Sequence, residues 1–204
     1  MILYIDTITP KANVTLLKNG QSLGVKHFDP YQASENTLVS IDELLTKNNA
    51  SIQGLTGVVL ISGPGGFTGL RVGLAVANTL IDQLQLKALN LTTDEWWQHG
   101  LKKEDWVYVQ SMNRSEVYAV GFGDYVDRFN GIIAIEALPK DLVWSGILSD
   151  LHREKLNLGQ ELTLADVDQV WLKAVEENQD NFKKGKLIEA FYLKKPNITP
   201  AKSK

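Results

Sequence analysis

The 204-residue sequence predicts an α/β protein with a mixed sheet in each of two similar halves. Short apolar runs of strand type alternate with single amphipathic stretches, the pattern of a sheet with some parallel pairing. The order strand, strand, strand, helix then starts again after about residue 100. No low-complexity linker separates the halves, so they are expected to pack closely. The divisions that follow are an N-terminal lobe over 1–100, a second lobe over 101–196 and a basic, flexible tail over 197–204.

Residues 2–5 read as a buried strand that ends in Asp6-Thr7. Runs at 14–17 and 23–28 flank Asn19-Gly20, a strong hairpin dipeptide, and complete a three-stranded meander. Residues 34–47 place Leu38, Ile41, Leu44 and Leu45 at helical spacing. A continuous apolar strand at 58–61, a glycine-rich turn, a helix to about Leu86 and a strand at 88–91 close the first half. In the second half strands are expected at 106–109, 117–122, 132–135 and 142–144, with helices at 148–155 and 165–177. The five tryptophans, Trp96, Trp97, Trp106, Trp144 and Trp171, suit a core. Adjacent Trp96 and Trp97 cannot share one side of a helix, so one of them is expected to be exposed.

The composition is globular, with 44% hydrophobic residues, 22% charged residues and a net charge of −3. The absence of cysteine excludes disulfide frameworks, zinc–thiolate sites, iron–sulfur clusters and thiol nucleophiles. Charge is uneven: −2 over 1–100, −7 over 101–182 and +6 over 183–204. An acidic body argues against a broad nucleic-acid-binding face. The lysine-rich end reads either as a solvated terminus or as a phosphate or partner contact. The opening residues lack the features of a signal peptide, and no run approaches the ~20 apolar residues of a membrane span. The cytoplasm is the expected location, with no membrane partner.

The most informative segment is Ser62-Gly-Pro-Gly-Gly-Phe-Thr-Gly-Leu-Arg-Val-Gly73, which joins a strand to a helix, where backbone N–H groups favour an anion. It fits neither standard phosphate motif. Gly69 is followed by Leu70-Arg71 rather than Lys-Ser/Thr, and Gly63, Gly65 and Gly69 miss the dinucleotide spacing by one residue. A tight structural turn and an anion site both remain open. In the following helix Leu70, Leu74, Ala77, Ile81 and Leu84 form a full apolar stripe, and Val72, Val76 and Leu80 extend it. Gly69, Gly73 and Ala77, four apart, suggest a groove for a second helix backbone. So broad an apolar girth needs cover on more than one side, from its own sheet and from either the 34–47 helix or a partner chain.

Catalytic constellations are scarce. His27, His99 and His152 are far apart in sequence with no paired metal-ligand spacing, and no nucleophile elbow is present. Asp6 stands where catalytic or metal-binding carboxylates often stand, and equally where a polar strand-end cap would. No metal or cofactor is expected.

The stretches Met1-Ile-Leu-Tyr-Ile-Asp-Thr7, Gly63 to Gly73, Arg114-Ser-Glu-Val-Tyr118 and Tyr192-Leu-Lys-Lys-Pro196, in this order, resemble the signatures of the TsaB (YeaZ) family, accessory subunits of the bacterial tRNA threonylcarbamoyladenosine machinery. The resemblance implies a two-lobed actin-like ATPase fold, ribonuclease H-like, with a mixed sheet in each lobe. It implies a non-catalytic dimerisation subunit that pairs with the catalytic paralogue TsaD and works with the ATPase TsaE, while TsaC supplies threonylcarbamoyl-AMP. The product is the modified adenosine beside the anticodon of tRNAs reading A-starting codons, with tRNA contacted only peripherally by this subunit. It further implies that first-lobe helices form the pairing surface and support a homodimer when the chain is alone. The residues expected there are Leu38, Ile41, Leu45, Leu70, Gly73, Leu74 and Ala77. Asp6, Thr7, Gly63 and Gly65 would mark a vestigial nucleotide or anion site.

Several positions depart from the family pattern: Gly66 where Ser is commoner, Ala33-Ser34-Glu35 for His-Ser-Glu, Ser111-Met112-Asn113-Arg114 for Asp-Ala-Arg-Arg, and Ile8 for Ser. These lie near the ancestral nucleotide cleft and lower the expectation of ATP binding. The alternative readings are an ATP-dependent small-molecule kinase of the same superfamily, using Asp6 and the 63–69 loop, and an enzyme-like homodimeric binding module.

Overall fold

The structure, a computed structural model, describes residues 1–164 and 166–194. Ala165, the last two residues of the closing signature (Lys195 and Pro196) and the tail 197–204 lie outside the described residues. The first sheet begins with the meander β1 (Ile2–Asp6), β2 (Asn13–Lys18) and β3 (Gln21–His27). Asn19 and Gly20 both take positive φ, 51° and 73°, as a two-residue hairpin of this hand requires. Helix α1 (Ala33–Lys47) leads to β4 (Gly57–Ile61), parallel to β1, and α2 (Phe67–Leu84) leads to β5 (Lys87–Leu91), parallel to β4.

Helix α3 (Thr93–Gly100) crosses to the second sheet, where β6 (Trp106–Ser111), β7 (Glu116–Phe122) and β8 (Asn130–Ala134) form another meander. Strand β9 (Trp144–Ile147) pairs parallel with β6, and α4 (Asp150–Leu156), α5 (Val167–Glu177) and the two-residue β10 (Lys183–Lys184) follow. The sheet orders are β10-β5-β4-β1-β2-β3 and β8-β7-β6-β9. The fold is thus mixed α/β with two mixed sheets of actin-like ATPase type.

Three expectations are corrected. The run at 142–144 is not a strand: Leu142 is buried ahead of one, and the strand is Trp144–Ile147. Helix α3, absent from the sequence reading, is held by a capping box in which the Thr92 hydroxyl accepts the Glu95 N–H and the Glu95 carboxylate accepts the Thr92 N–H. Trp96 and Trp97 are both buried, because α3 is covered on two flanks. Trp96 lies 5.4 Å from Trp171 of α5, while Trp97 lies 5.6 Å from Tyr108 of β6 and donates to Ser145 Oγ at 3.0 Å.

Alternation along β1 divides the core. Leu3 and Ile5 face α1 and α2 with Leu44 and Ile81, while Tyr4 faces the other way, into an aromatic layer with Trp96, Trp106 and Trp171 between the sheets. A third cluster, with Val107, Val109, Phe129 and Leu142, backs the second sheet. The sequence division assigned residues 183–194 to the second lobe, yet β10 adds to the edge of the first sheet.

Candidate functional site

The ends of β1 and β4 form one wall of a cavity of about 800 Å3, lined by Thr7, Ile8, Tyr31, the 65–69 loop, Gln110 and Ile147. Asp6 is fully buried beside it. One carboxylate oxygen accepts the N–H groups of Ile8 at 2.9 Å and Thr9 at 3.0 Å, and the other accepts the Thr9 hydroxyl. Burial pushes the Asp6 carboxyl up from its ordinary value, and these hydrogen bonds oppose the shift. The geometry is that of a strand-end cap that fixes the turn into β2. Thr7 donates to the Gly69 carbonyl at 2.8 Å and ties this turn to the start of α2.

The glycines serve close approach within the chain. A Cβ on Gly69 would stand 2.2 Å from the Thr7 carbonyl oxygen, and one on Gly73 would stand 2.5 Å from Thr7 Oγ1. The groove at Gly69 and Gly73 therefore receives the turn after β1 and Leu60 of β4 rather than another helix. Gly65 packs on Ile8, and Gly63, at φ 124°, leaves room for the Phe191 carbonyl, which a Cβ would meet at 2.3 Å. Asp6, Thr7, Gly63 and Gly65 are thus brought together, each held by neighbours from its own chain. The cavity lining includes one carboxylate, Asp29, and neither lysine nor arginine. No group of three or more His, Asp or Glu side chains placed to hold a metal occurs among the described residues.

The segment covering Gly63 includes the start of the closing signature, Tyr192 to Lys194, but nothing in the sequence places it against Gly63. The Asn78 side chain donates to the Ile188 carbonyl at 3.0 Å and accepts the Ile188 N–H at 2.8 Å, imitating one rung of a sheet on the side of α2. Phe191 N–H then donates to the Ser62 carbonyl at 2.8 Å. Beyond it Tyr192 packs on Phe67, with ring centroids 5.7 Å apart. Lys194 finally reaches Glu116 of β7 at 2.5 Å, which holds that carboxyl below its usual range. Residues 187–194 are therefore a strap that runs from the first sheet to the second.

Further polar groups are held by hydrogen bonds outside the cavity lining. Asp94 is buried and its carboxyl raised by desolvation, and it accepts the Tyr118 hydroxyl at 3.3 Å. Ser111, which sits in β6 where Asp6 sits in β1, accepts the Ser149 N–H at 2.9 Å and lies 2.9 Å from Nδ1 of buried His152. The sequence showed Ser111 only as a departure from the family's Asp-Ala-Arg-Arg; the strand was expected to end at residue 109, and it runs to Ser111.

Helices α1 and α2 pack against each other on the far side of the first sheet. Of the residues expected on a pairing surface, Ile41, Leu45, Leu70, Gly73 and Ala77 are buried within the chain, Leu74 is half-buried and Leu38 is 62% exposed. Val39, 52% exposed, and exposed Ala75 and Thr79 were not singled out from the sequence.

Residues 31–138 match the family described as TsaD, tRNA N6-adenosine threonylcarbamoyltransferase. Curated relatives share the name tRNA threonylcarbamoyladenosine biosynthesis protein TsaB. The Escherichia coli protein is 28% identical over 92 residues, 45% of this chain and 40% of its own length. The Haemophilus influenzae protein is 30% identical over 79 residues, 39% of this chain and 34% of its own length. The Buchnera aphidicola protein is 26% identical over 138 residues, 64% of this chain and 60% of its own length. The matched stretches thus span less than two thirds of these relatives. Among solved structures, a Pseudomonas aeruginosa protein described as similar to peptidase YEAZ superposes with TM-score 0.71 at 18% identity, covering 95% of this chain and 99% of its own. A second, described as YeaZ from the same organism, gives 0.69 at 18% identity, covering 94% of this chain and 99% of its own. At these identities the likeness supports the fold.

Proposed function

The chain belongs to the TsaB (YeaZ) family, and from that premise we propose that it is a non-catalytic scaffold subunit in threonylcarbamoylation of tRNA. In this reading it pairs with TsaD, works with TsaE in the cytoplasm, and supports transfer to the adenosine beside the anticodon of tRNAs reading A-starting codons. The observation that carries the reading is the contrast between cleft and helix face. At the cleft, Asp6 is taken up by its own turn and Gly63 is covered by the strap. On the opposite side of the sheet, α1 leaves the aliphatic side chains of Leu38 and Val39 to solvent.

The division into lobes 1–100 and 101–196 with a tail at 197–204 serves this reading as an outline, with the strap returning to the first lobe. On the proposed surface Leu38 and Leu74 touch the partner. Ile41, Leu45, Leu70, Gly73 and Ala77 act indirectly, by setting how the two helices lie. The same surface supports a homodimer when the partner is absent. Nothing in the cavity lining favours the kinase alternative.

Co-purification with the cognate TsaD, followed by tRNA modification with and without this chain, tests the proposal. The double variant Leu38→Glu, Val39→Glu keeps every buried contact, so it is expected to fold, lose TsaD and abolish stimulation. Undiminished capture by that variant, or threonylcarbamoyl transfer by this chain alone, would overturn it.

A further inference from the structure

A sheet edge presents a row of N–H and C=O groups, which proteins commonly blunt with a lysine, a bulge or a covering segment. Three of the four edge strands are treated in this way. Strand β3 carries a register shift opposite Leu16 and Leu17 and the ion-paired Lys26, and the Asn48 side chain donates to its Leu23 carbonyl at 3.4 Å. Strand β10 consists of two exposed lysines. Strand β9 is covered at Trp144, whose N–H donates to the Gln160 carbonyl at 2.9 Å and whose carbonyl accepts the Leu162 N–H at 2.7 Å.

Strand β8, Asn-Gly-Ile-Ile-Ala, has none of these devices. Beyond its two ends the Phe129 carbonyl accepts the Gly121 N–H at 2.8 Å, and the Ile135 N–H donates to the Ser115 carbonyl at 3.0 Å. By antiparallel alternation Gly131 and Ile133 carry the bonds to β7 between them. Asn130, Ile132 and Ala134 therefore turn their N–H and C=O groups outward, where these meet no backbone partner among the described residues. A Cβ on Gly131 would meet nothing within 4 Å, which leaves room for a second backbone. Ile133 packs into the core behind the sheet, while Ile132, on the other face, stays half-buried.

The surroundings are acidic. Asp124 and Asp127 precede the strand and Glu136 follows it; all three are exposed, and none is ion-paired among the described residues. The nearby cation, Arg128, holds its guanidinium 5.4 Å from the Tyr125 ring centroid and 5.6 Å from that of Phe129. Residues 101–182 together carry −7. A second copy of this lobe would bring like charge to the edge, whereas a basic strand brings the opposite charge.

We propose that the outer edge of β8 receives an extended, lysine- or arginine-bearing segment of a partner protein, which adds to the second sheet as a further strand. Asn130, Ile132 and Ala134 supply the ladder, and Asp127 and Glu136 meet the cations at its two ends. The site lies in the other half of the chain from the Leu38–Val39 surface and does not depend on it.

The test is amide exchange of the full chain with and without a synthetic peptide of alternating valine and lysine, about eight residues long. The peptide is expected to slow exchange at Asn130, Ile132 and Ala134 and to change little at Gly131 and Ile133, which are already bonded. Methylating every backbone nitrogen of the peptide should abolish this protection. Glutamate in place of its lysines should weaken binding roughly tenfold at low salt. Ala134→Pro removes an outward N–H without touching the ladder to β7, and is expected to lose the peptide. Ile132→Lys alters no backbone group, is expected to lose it too at unchanged Tm, and carries the test should Ala134→Pro fail to fold. Lys26→Ala on the edge of β3 and the double variant Leu38→Glu, Val39→Glu should bind the peptide as the parent chain does.

Equal protection by the methylated peptide, protection at β3 in place of β8, or undiminished binding by Ile132→Lys would overturn the proposal. So would a dimer in sedimentation that Ile132→Lys dissolves, because the edge would then belong to a second copy.

Discussion

The two sheets share one plan and differ in what covers them. In each, a three-stranded antiparallel meander is joined by a fourth strand parallel to the first: β1-β2-β3 with β4, and β6-β7-β8 with β9. In the first sheet the connections around β4 are the 15-residue α1 and the 18-residue α2, which bury one whole face. In the second, short turns precede β9, and only the seven-residue α4 comes directly after it. The lesson is that one strand order can serve two ends. A sheet with full crossover helices gains an outer helical surface; its thinner copy closes a core and anchors the strap.

Loss of the layer between the sheets should break this arrangement most severely. Trp171 is fully buried, packs tilted 4.5 Å from Tyr4 and 5.4 Å from Trp96 between ring centroids, and donates from Nε1 to Asn13 Oδ1 at 3.1 Å. Trp171→Ala is expected to cost about 3–5 kcal/mol. Urea denaturation should show one cooperative transition at a lower midpoint. Two separated transitions would mean that the sheets are independent units.

The strap sharpens the comparison at smaller magnitude. Asn78→Ala removes both hydrogen bonds to Ile188, a loss of roughly 1–2 kcal/mol. Amide exchange at Ile188 and Phe191 should speed up, with β6 and β7 unchanged. Equal acceleration in the second sheet would show that strap and sheet open together.

The smallest effect is one of pH. The carboxyls of Asp6 and Asp94 are raised by burial, so the unfolded chain releases these protons before the folded one. Stability should therefore fall as pH rises from about 4, the ordinary carboxylate value, towards the raised folded values. Glu116 has the opposite sign: its contribution is present above the ordinary value and is lost as pH falls through its lowered one. Asp6→Asn should flatten the upper part of the profile in thermal melts across pH and leave the acid limb in place. An unchanged upper slope would remove Asp6 from the account.

Local signals made much of the first half legible. Asn19-Gly20 specified the hairpin, the run before Ser62 specified β4, and the four-three spacing from Leu70 to Leu84 specified α2. Helix α3 was lost because it is eight residues long and apolar on opposite sides; only the spacing of Thr92 and Glu95 announced it. Two exposed lysines cannot show a period, so β10 left no trace. At the site, Asp6 at a strand end was legible, whereas the cover over Gly63 depends on Phe191, far along the chain. Gly73 misled in an instructive way: small residues four apart report close approach, and what approaches Gly73 is the Thr7 and Leu60 side chains of its own chain.

The strap also bears on the timing of folding. Ribosomal synthesis makes the first sheet's strands β1 to β5 early, yet β10, the bonds of Ile188 to Asn78 and the cover of Gly63 come from residues made after the whole second sheet. The sheet stays unfinished at that edge until the second half has emerged. A nascent fragment ending near residue 100 would carry an open edge at β5 and an uncovered aromatic layer, both sticky to other chains. Contacts of such long sequence separation also slow the search for the native state. Completion of the first lobe thus awaits the synthesis of residues 183–191.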